Sequence, residues 1–476
     1  MKRPFKLIAS LCVTVLLSAC EVGPDYERPP VDVPKVYKEQ GDWKPALPQD
    51  DINRGPWWAV YKDPALDDLE KQIDISNQNL KAAEAAFRNA SAVVAESRAA
   101  LFPTISLDAT GQKTGSTGHP PAKPHNLYNA AGQASWVPDI WGSIRRTIES
   151  DVANAQASAA DIASARLSAQ AELATDYFDL RAQDELLGLL DATVVELKHS
   201  LQITQNQYDS GVADQADVLL AQTQLEGVEA QYINAGVQRA QLEHAIAILI
   251  GKSPADFTLA AAPLAYDVPV IPTDLPSTLL ERRPDIAAAE RQMVSANAQI
   301  GVETAAFFPN LTLSASYGYT ATALSKLFQA SNSLWAFGPA VGETIFDAGA
   351  REARVEEARA SYDQAVANYR QTVLTGFQQV EDQLAALRIL EKQSVMNETV
   401  VKDAQRSQEL VLNQYKAGIV PYTSVITAQT TALTDEQTEL TTREDRFNAS
   451  VSLIEAVGGG WNATQLPTSD KIDIGN

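Results

Sequence analysis

The chain is one unit written twice. Gln207-Tyr208-Asp209-Ser210-Gly211-Val212 recurs as Gln414-Tyr415-Lys416-Ala417-Gly418-Ile419, and Ala221-Gln222 recurs as Ala428-Gln429, each pair 207 residues apart. Far upstream, Gly142 matches Gly349 at the same spacing, and Phe102-Pro103 matches Phe308-Pro309 one residue short of it. A nearly constant offset across widely separated motifs marks a tandem duplication. Whatever one half folds into, the other half must fold into as well.

Within each half the pattern changes three times. Asp63-Pro64 supplies an N-cap and a proline at the first helical position, which predicts a helix over 66–100 stopped by Phe102-Pro103. Ile105, Leu107 and Ala109 then alternate with polar neighbours, the period of a half-buried strand. A loop rich in Gly and Pro is expected over 111–124, and a second strand from Tyr128 to about Val137. In the second copy Leu311, Leu313, Ala315, Tyr317 and Tyr319 share one face, with a partner strand within 333–345. Each strand pair is followed by a proline-free helical stripe, 142–208 and 349–415, with apolar residues spaced by three and four. Such a helix is roughly 100 Å long, far more than a globular domain requires. Gly211 and Gly418 break it in a manner suited to a tight turn, and return helices follow over about 215–250 and 422–457.

The N-terminus is a targeting segment. Lys2, Arg3 and Lys6 precede an apolar run from Leu7 to Leu17, too short to span a bilayer, which takes about 20 residues. Leu17-Ser18-Ala19-Cys20 reads as a lipobox, so residues 1–19 are a signal peptide and Cys20 carries a covalent lipid, the only non-protein group expected. Glu21 in place of Asp argues against retention in the inner membrane. Cleavage deepens the net charge from -22 to -25, which repels nucleic acid, and no basic tract interrupts it. It also removes Cys12, so no disulfide framework is available. The rest divides into a lipidated strap (20–62), repeat 1 (63–251), a Pro-rich connector (252–283), repeat 2 (284–461) and a loose tail (462–476). The Pro-rich stretches 24–56 and 254–284 are expected to lie as straps over the helices.

Past the signal no apolar run approaches the length of a membrane helix, so a membrane crossing must use strands. Four strands per chain cannot close a barrel, and an open sheet edge in lipid costs several kcal/mol per unpaired backbone group, on the order given for buried amides. The strands must be shared among subunits. A soluble coiled-coil lipoprotein with a β-hairpin insert accounts for the helices but not for two equivalent strand pairs.

Several motifs carry a family resemblance. Val22-Gly23-Pro24-Asp25-Tyr26, Trp57-Trp58, Arg282-Arg283-Pro284-Asp285-Ile286, Phe308-Pro309 and Gly458-Gly459-Gly460-Trp461 resemble the TolC-like outer membrane factors, nearest their NodT-type lipoprotein branch. The resemblance covers nearly the whole mature chain. It implies a mainly α protein with membrane β: a homotrimer with a twelve-stranded β-barrel continued by a long periplasmic α-helical barrel. It also implies an outer-membrane location, a periplasmic adaptor, an inner-membrane pump of the resistance-nodulation-division type, and passive export of drugs or other small toxic compounds. Within the family the alternative is a type I secretion exit.

The same resemblance assigns the turns. Gly211-Val212-Ala213 and Gly418-Ile419-Val420 match the periplasmic tips where adaptor hairpins dock, although the glycines are helix C-caps on either reading. Tyr415 and Asp217 match a hydrogen-bonded pair that holds the periplasmic gate shut in relatives; the alternative is that Asp217 only caps the return helix. Ser424 and Thr427 stand where carboxylates are common in the family, and with Thr423 and Thr430 they make a neutral, hydroxyl-lined aperture. Nothing points to an enzyme. His119, His125, His199 and His244 lack ligand spacing, and Gly251-Lys252-Ser253 lacks the upstream glycine of a phosphate loop. The carboxylates read as dispersed, solvated helix faces.

Overall fold

Two helices of 67 residues each set the scale of the molecule. The computed structural model describes residues 21–34, 36–40, 56–116, 122–265, 267–269, 271 and 279–472. The first repeat runs α1 (Pro64–Ser76), α2 (Gln78–Ala99), β1 (Thr104–Ser116), β2 (Ala122–Trp136), α3 (Ser143–Asp209) and α4 (Gln215–Leu249). The second runs α5 (Leu279–Arg282), α6 (Pro284–Ala305), β3 (Asn310–Ala321), β4 (Ser333–Gly342), α7 (Ala350–Lys416) and α8 (Tyr422–Ala456). Each long helix is about 100 Å at 1.5 Å per residue. It starts at a left-handed glycine, Gly142 or Gly349, and packs against its return helix as a hairpin.

The helix expected over 66–100 is two helices. Asn77 is extended; its side-chain oxygen accepts the Leu80 amide at 2.9 Å while its Nδ2 donates to the Leu249 carbonyl at 2.8 Å. One buried side chain thus starts α2 and satisfies the end of α4. The second repeat makes the same joint with a different residue, because Arg283 follows α5 and donates from Nη1 to the Ala456 carbonyl at 2.9 Å. Leu249 and Ala456 are themselves 207 residues apart. Beside each joint lies a glycine with positive φ, Gly251 (+68°) or Gly458 (+94°), where an added Cβ would fall 2.2 Å from the carbonyl oxygen of Ser76 or Arg282. Only glycine allows that backbone approach.

Two cores follow the duplication. Leu66, Ile73, Tyr177, Phe178, Ile246 and Phe447 join α1, α3, α4 and α8. Tyr37, Ile286, Tyr369, Val373 and Leu453 join the N-terminal strap to α6, α7 and α8. The straps are stitched down by charged side chains. Asp184 accepts from Arg181 (3.1 Å), Arg239 (2.7 Å) and the Ala262 amide (3.0 Å), and Glu185 accepts from the Leu264 amide (3.1 Å) and Arg443 (2.5 Å). Glu381 holds the amides of Lys38 and Glu39 at 2.7 and 2.8 Å. Near the start of the chain, buried Arg146 gathers Asp25 (2.8 Å), Glu149 (2.7 Å) and Glu21 (3.4 Å).

Two further expectations change. Most of the loop assigned to 111–124 is strand, since Gly111 pairs with Tyr128 and Thr114 with His125; residues 117–121 lie outside the described residues. Gly111 fits there because a Cβ would crowd the Tyr128 ring at 3.2 Å, so the glycine makes room for a cross-strand aromatic. The tail is not loose up to Ile472, which is buried against Val94 and Ala155. The lipid site Cys20 and the signal residues 1–19 lie outside the described residues, as does His119.

Candidate functional site

The four strands form one antiparallel sheet in the order β1-β2-β3-β4, with the two repeats meeting at β2 and β3. Directly opposed residues share a face. The register therefore puts Ile105 and Leu107 on the same face as Ala134 and Gly132, then Ala315 and Tyr317, then Phe337 and Trp335. That face is apolar from edge to edge, and Leu107 and Trp335 are 84% and 76% exposed in the single chain. The opposite face carries Ser106, Asp108, Gln133, Ser135, Ser314 and Ser316. Such alternation fits a barrel wall with lipid outside and water inside. Among the described residues β1 and β4 each have one neighbour, which leaves two open edges. Where the sheet meets the helices, Trp141 stacks on Phe308 at 4.6 Å and donates from its indole to the Pro309 carbonyl at 2.8 Å. Among the described residues no helix is long and apolar enough to cross a membrane.

At the far end of the long helices the two turns have the same geometry. Gly211 (φ +75°) gives its amide to the Tyr208 carbonyl and Val212 gives its amide to Gln207, both at 2.8 Å. Gly418 (φ +73°) and Ile419 do the same to Tyr415 and Gln414 at 2.8 and 2.9 Å. This is the Schellman closure, in which the apolar residue after the glycine commonly folds back on an apolar residue of the last turn. Here the residues it would meet are Gln207 and Gln414, and Val212 and Ile419 each remain 71% exposed. Ala213 and Val420 are half-buried beside them.

The residues expected to form a gate fall near this same end, with one correction. Tyr415 and Tyr422 are buried, their rings 5.1 Å apart and tilted by 58°, in a cluster with Ala221 and Val425. The Tyr415–Asp217 hydrogen bond is not made. Among the described residues neither tyrosine hydroxyl makes a hydrogen bond of acceptable geometry, although Thr204, whose own proton goes to the Ser200 carbonyl at 3.0 Å, stands close to both. Burial raises both hydroxyl pKa values, that of Tyr422 to about 12; Thr204 eases them and the Asp217 charge raises them further. Nor is Asp217 the N-cap of α4, a position held by Asp214; it lies in the first turn, where a negative charge faces the helix N-terminus favourably. At this level the contact is packing of two aromatic rings rather than a tyrosine–carboxylate bond.

The neutral face is laid out along α8. Thr427 donates to the Thr423 carbonyl at 2.9 Å, and Gln224 of α4 donates to the Thr430 hydroxyl at 3.1 Å, tying the two return helices together. Ser424 and Thr427 border a groove of about 350 Å³ shared with Ser407 and Val411 of α7. Higher up, the carboxylates are not all dispersed. Asp176 and Asp179 of α3 and Glu444 and Asp445 of α8 come together, with Asn448 donating to Asp179 at 2.7 Å. Burial and mutual repulsion push Asp176 up to about 7 and Glu444 up to about 8. Sequence reasoning missed Thr204 and Tyr422; the only available signal was Tyr422's place one turn beyond Gly418. Among the described residues no group of three or more His, Cys, Asp or Glu side chains is arranged to hold a metal.

Comparison with known proteins agrees with this architecture. The outer membrane efflux protein family matches the chain twice, over residues 69–252 and 275–459, once per repeat. The probable efflux pump outer membrane protein TtgC of Pseudomonas putida is 30% identical over 472 residues, spanning 96% of this chain and 96% of its own. The outer-membrane channel OprN is 27% identical, with a TM-score of 0.86 over 93% of this chain and 100% of that one. The open-state outer membrane channel MtrE of Neisseria gonorrhoeae is also 27% identical, with a TM-score of 0.82 over 93% of this chain and 99% of its own.

Proposed function

The chain belongs to the outer membrane efflux protein family, and from that premise we propose that it is the exit duct of a tripartite efflux system, working as a homotrimer. Three copies supply twelve strands, and joining β1 of one copy to β4 of the next removes every open edge. The long helices then form a periplasmic cylinder about 100 Å long. The observation that carries the reading is the edge-to-edge apolar face on a four-stranded sheet whose two outer edges are unpaired.

The duct conducts passively, with the driving energy supplied by an inner-membrane pump of the resistance-nodulation-division type through a periplasmic adaptor. Drugs or other small toxic compounds are its cargo, and pump and adaptor select among them. Acylation of Cys20 anchors the chain from the periplasmic side of the outer membrane. The adaptor docks on Gly211-Val212-Ala213 and Gly418-Ile419-Val420, where two apolar side chains stand in water with no folding role to hold them there. Tyr415, Asp217, Thr423, Ser424, Thr427 and Thr430 belong to the level that opens when the partner engages.

Deleting the gene is expected to raise accumulation of a fluorescent efflux dye severalfold, and the wild-type gene should reverse it. A variant carrying Val212→Glu and Ile419→Glu should insert and assemble normally yet leave accumulation high. Full rescue by that variant contradicts the docking site, and unchanged accumulation in the deletion strain contradicts the efflux reading.

A further inference from the structure

A cavity of about 560 Å³ lies between α3, α7 and α8, away from the turns. Ser200 on its wall precedes Gly211 by eleven residues, and Gln429 follows Gly418 by the same number. Leu189, Leu197, Leu412 and Leu433 make part of the lining apolar. The polar groups that face them are mostly hydrogen-bond acceptors. Glu196 of α3 accepts from Gln408 of α7 at 2.9 Å, and Glu436 of α8 accepts from Gln405 of α7 at 2.5 Å. Burial raises the Glu436 pKa, Gln405 eases it, and the nearby Glu196 charge raises it further. Gln429 is only 5% exposed; its Nε2 donates to the Ser200 hydroxyl at 2.9 Å, while its Oε1 has no partner among the described residues. Among the described residues no lysine or arginine lines the cavity, and Glu409 is already paired with Arg406 at 2.5 Å. His199 is the remaining ionisable group of the lining and is exposed.

We propose that this cavity binds an amphipathic organic amine, with its ammonium between Glu196 and Glu436, a second N–H or O–H donor on Gln429 Oε1, and its apolar body against the leucines. Two neighbouring carboxylates without a cation repel each other, and a buried amide oxygen without a donor costs stability. An ammonium brings the missing charge and three donors, and its hydrogen bonds to carboxylates are of the strong, charge-assisted kind. Gln429 and Glu436 stand two turns apart on α8, about 10 Å, which sets the spacing of the two donors in the ligand. A bare metal ion suits the cavity less well. Its volume is that of a small-molecule pocket, and no group of three or more His, Cys, Asp or Glu side chains among the described residues is arranged to hold a metal.

Dansylcadaverine carries these features: an alkyl ammonium, a sulfonamide N–H five carbons away, and an apolar fluorophore that brightens on leaving water. Its N-acetyl derivative keeps the shape and loses the charge. Both are titrated at pH 8, where an alkyl ammonium is charged and histidine is neutral, against the mature protein in lipid nanodiscs, with empty nanodiscs as the blank. The amine is expected to saturate at one per chain and to bind at least about tenfold more tightly than its acetylated form. Glu196→Gln combined with Glu436→Gln should abolish that preference, and Gln429→Leu should weaken the amine severalfold. Glu226→Gln, at an exposed carboxylate held by Gln222 at 2.9 Å outside the cavity, should change nothing. The comparison of amine with acetylated probe uses the unaltered chain and so does not depend on how any variant folds. Equal binding of the two probes, no saturable binding, or unchanged affinity in the carboxylate or Gln429 variants would overturn the proposal.

Discussion

Gly458→Ala is expected to destabilise the folded chain by about 3 kcal/mol or more, whereas Gly211→Ala costs only about 1–2 kcal/mol. Both glycines have positive φ, so both substitutions carry the left-handed penalty of an L side chain. The difference lies in what the new methyl meets. At Gly211 nothing stands within 4 Å, whereas at Gly458 the Cβ would lie 2.2 Å from the Arg282 carbonyl oxygen. Relief requires separating α8 from the α5–α6 break, which also strains the bond from Arg283 to the Ala456 carbonyl. Gly251→Ala should behave like Gly458→Ala, because its Cβ meets the Ser76 carbonyl at the same distance. Thermal unfolding of the purified variants checks this. Equal losses at Gly211 and Gly458 would contradict the account of the two joints.

Glu70→Met should stabilise the protein, and more so at pH 8 than at pH 5. Glu70 sits in α1 among Leu66, Leu69 and Ile73, fully buried, with neither carboxylate oxygen hydrogen-bonded among the described residues. Burial first, then Asp74 and Asp67, push its pKa from 4.5 to about 9. A carboxyl raised in this way favours the folded state least at high pH. The folded chain keeps a proton that the unfolded chain releases above 4.5, so stability falls as pH rises from there through about 9. At pH 7.5 holding that proton costs on the order of 4 kcal/mol, and at pH 5 less than about 1 kcal/mol. Asp176 and Glu444 add the same sign over a narrower range. Unfolding midpoints of parent and variant at the two pH values decide it; a variant less stable than its parent at both would mean that Glu70 has a folding role that the unpartnered carboxylate does not reveal.

The long helices and their turns were legible because periodicity and punctuation agree over many residues: no proline in 349–415, and glycine at 418. Strand faces were legible for the same reason, with Leu311 to Tyr319 alternating cleanly. The break at Asn77 was not, because Ser76-Asn77 sits within an otherwise helical pattern and its cause is the Leu249 carbonyl, 172 residues away. The hairpin over 111–124 was misread because glycine signals a turn when read locally, while here Gly111 serves the Tyr128 ring across the sheet. At the end of the long helices, the family pattern pointed to a Tyr415–Asp217 bond that is not made. The second tyrosine, Tyr422, packs on the ring of Tyr415 instead. The pairing of Asp179 with Glu444 depends on how α3 packs on α8, which no local pattern encodes.

The most direct test of the duct is single-particle imaging of the mature, acylated protein purified in detergent. The account predicts a threefold particle with a membrane collar of twelve strands and a hollow cylinder about 100 Å long, the length of helices of 67 residues. A monomer, or a rod without a lumen, would contradict it: the open edges of β1 and β4 would then have to be closed by something other than two further copies of this chain.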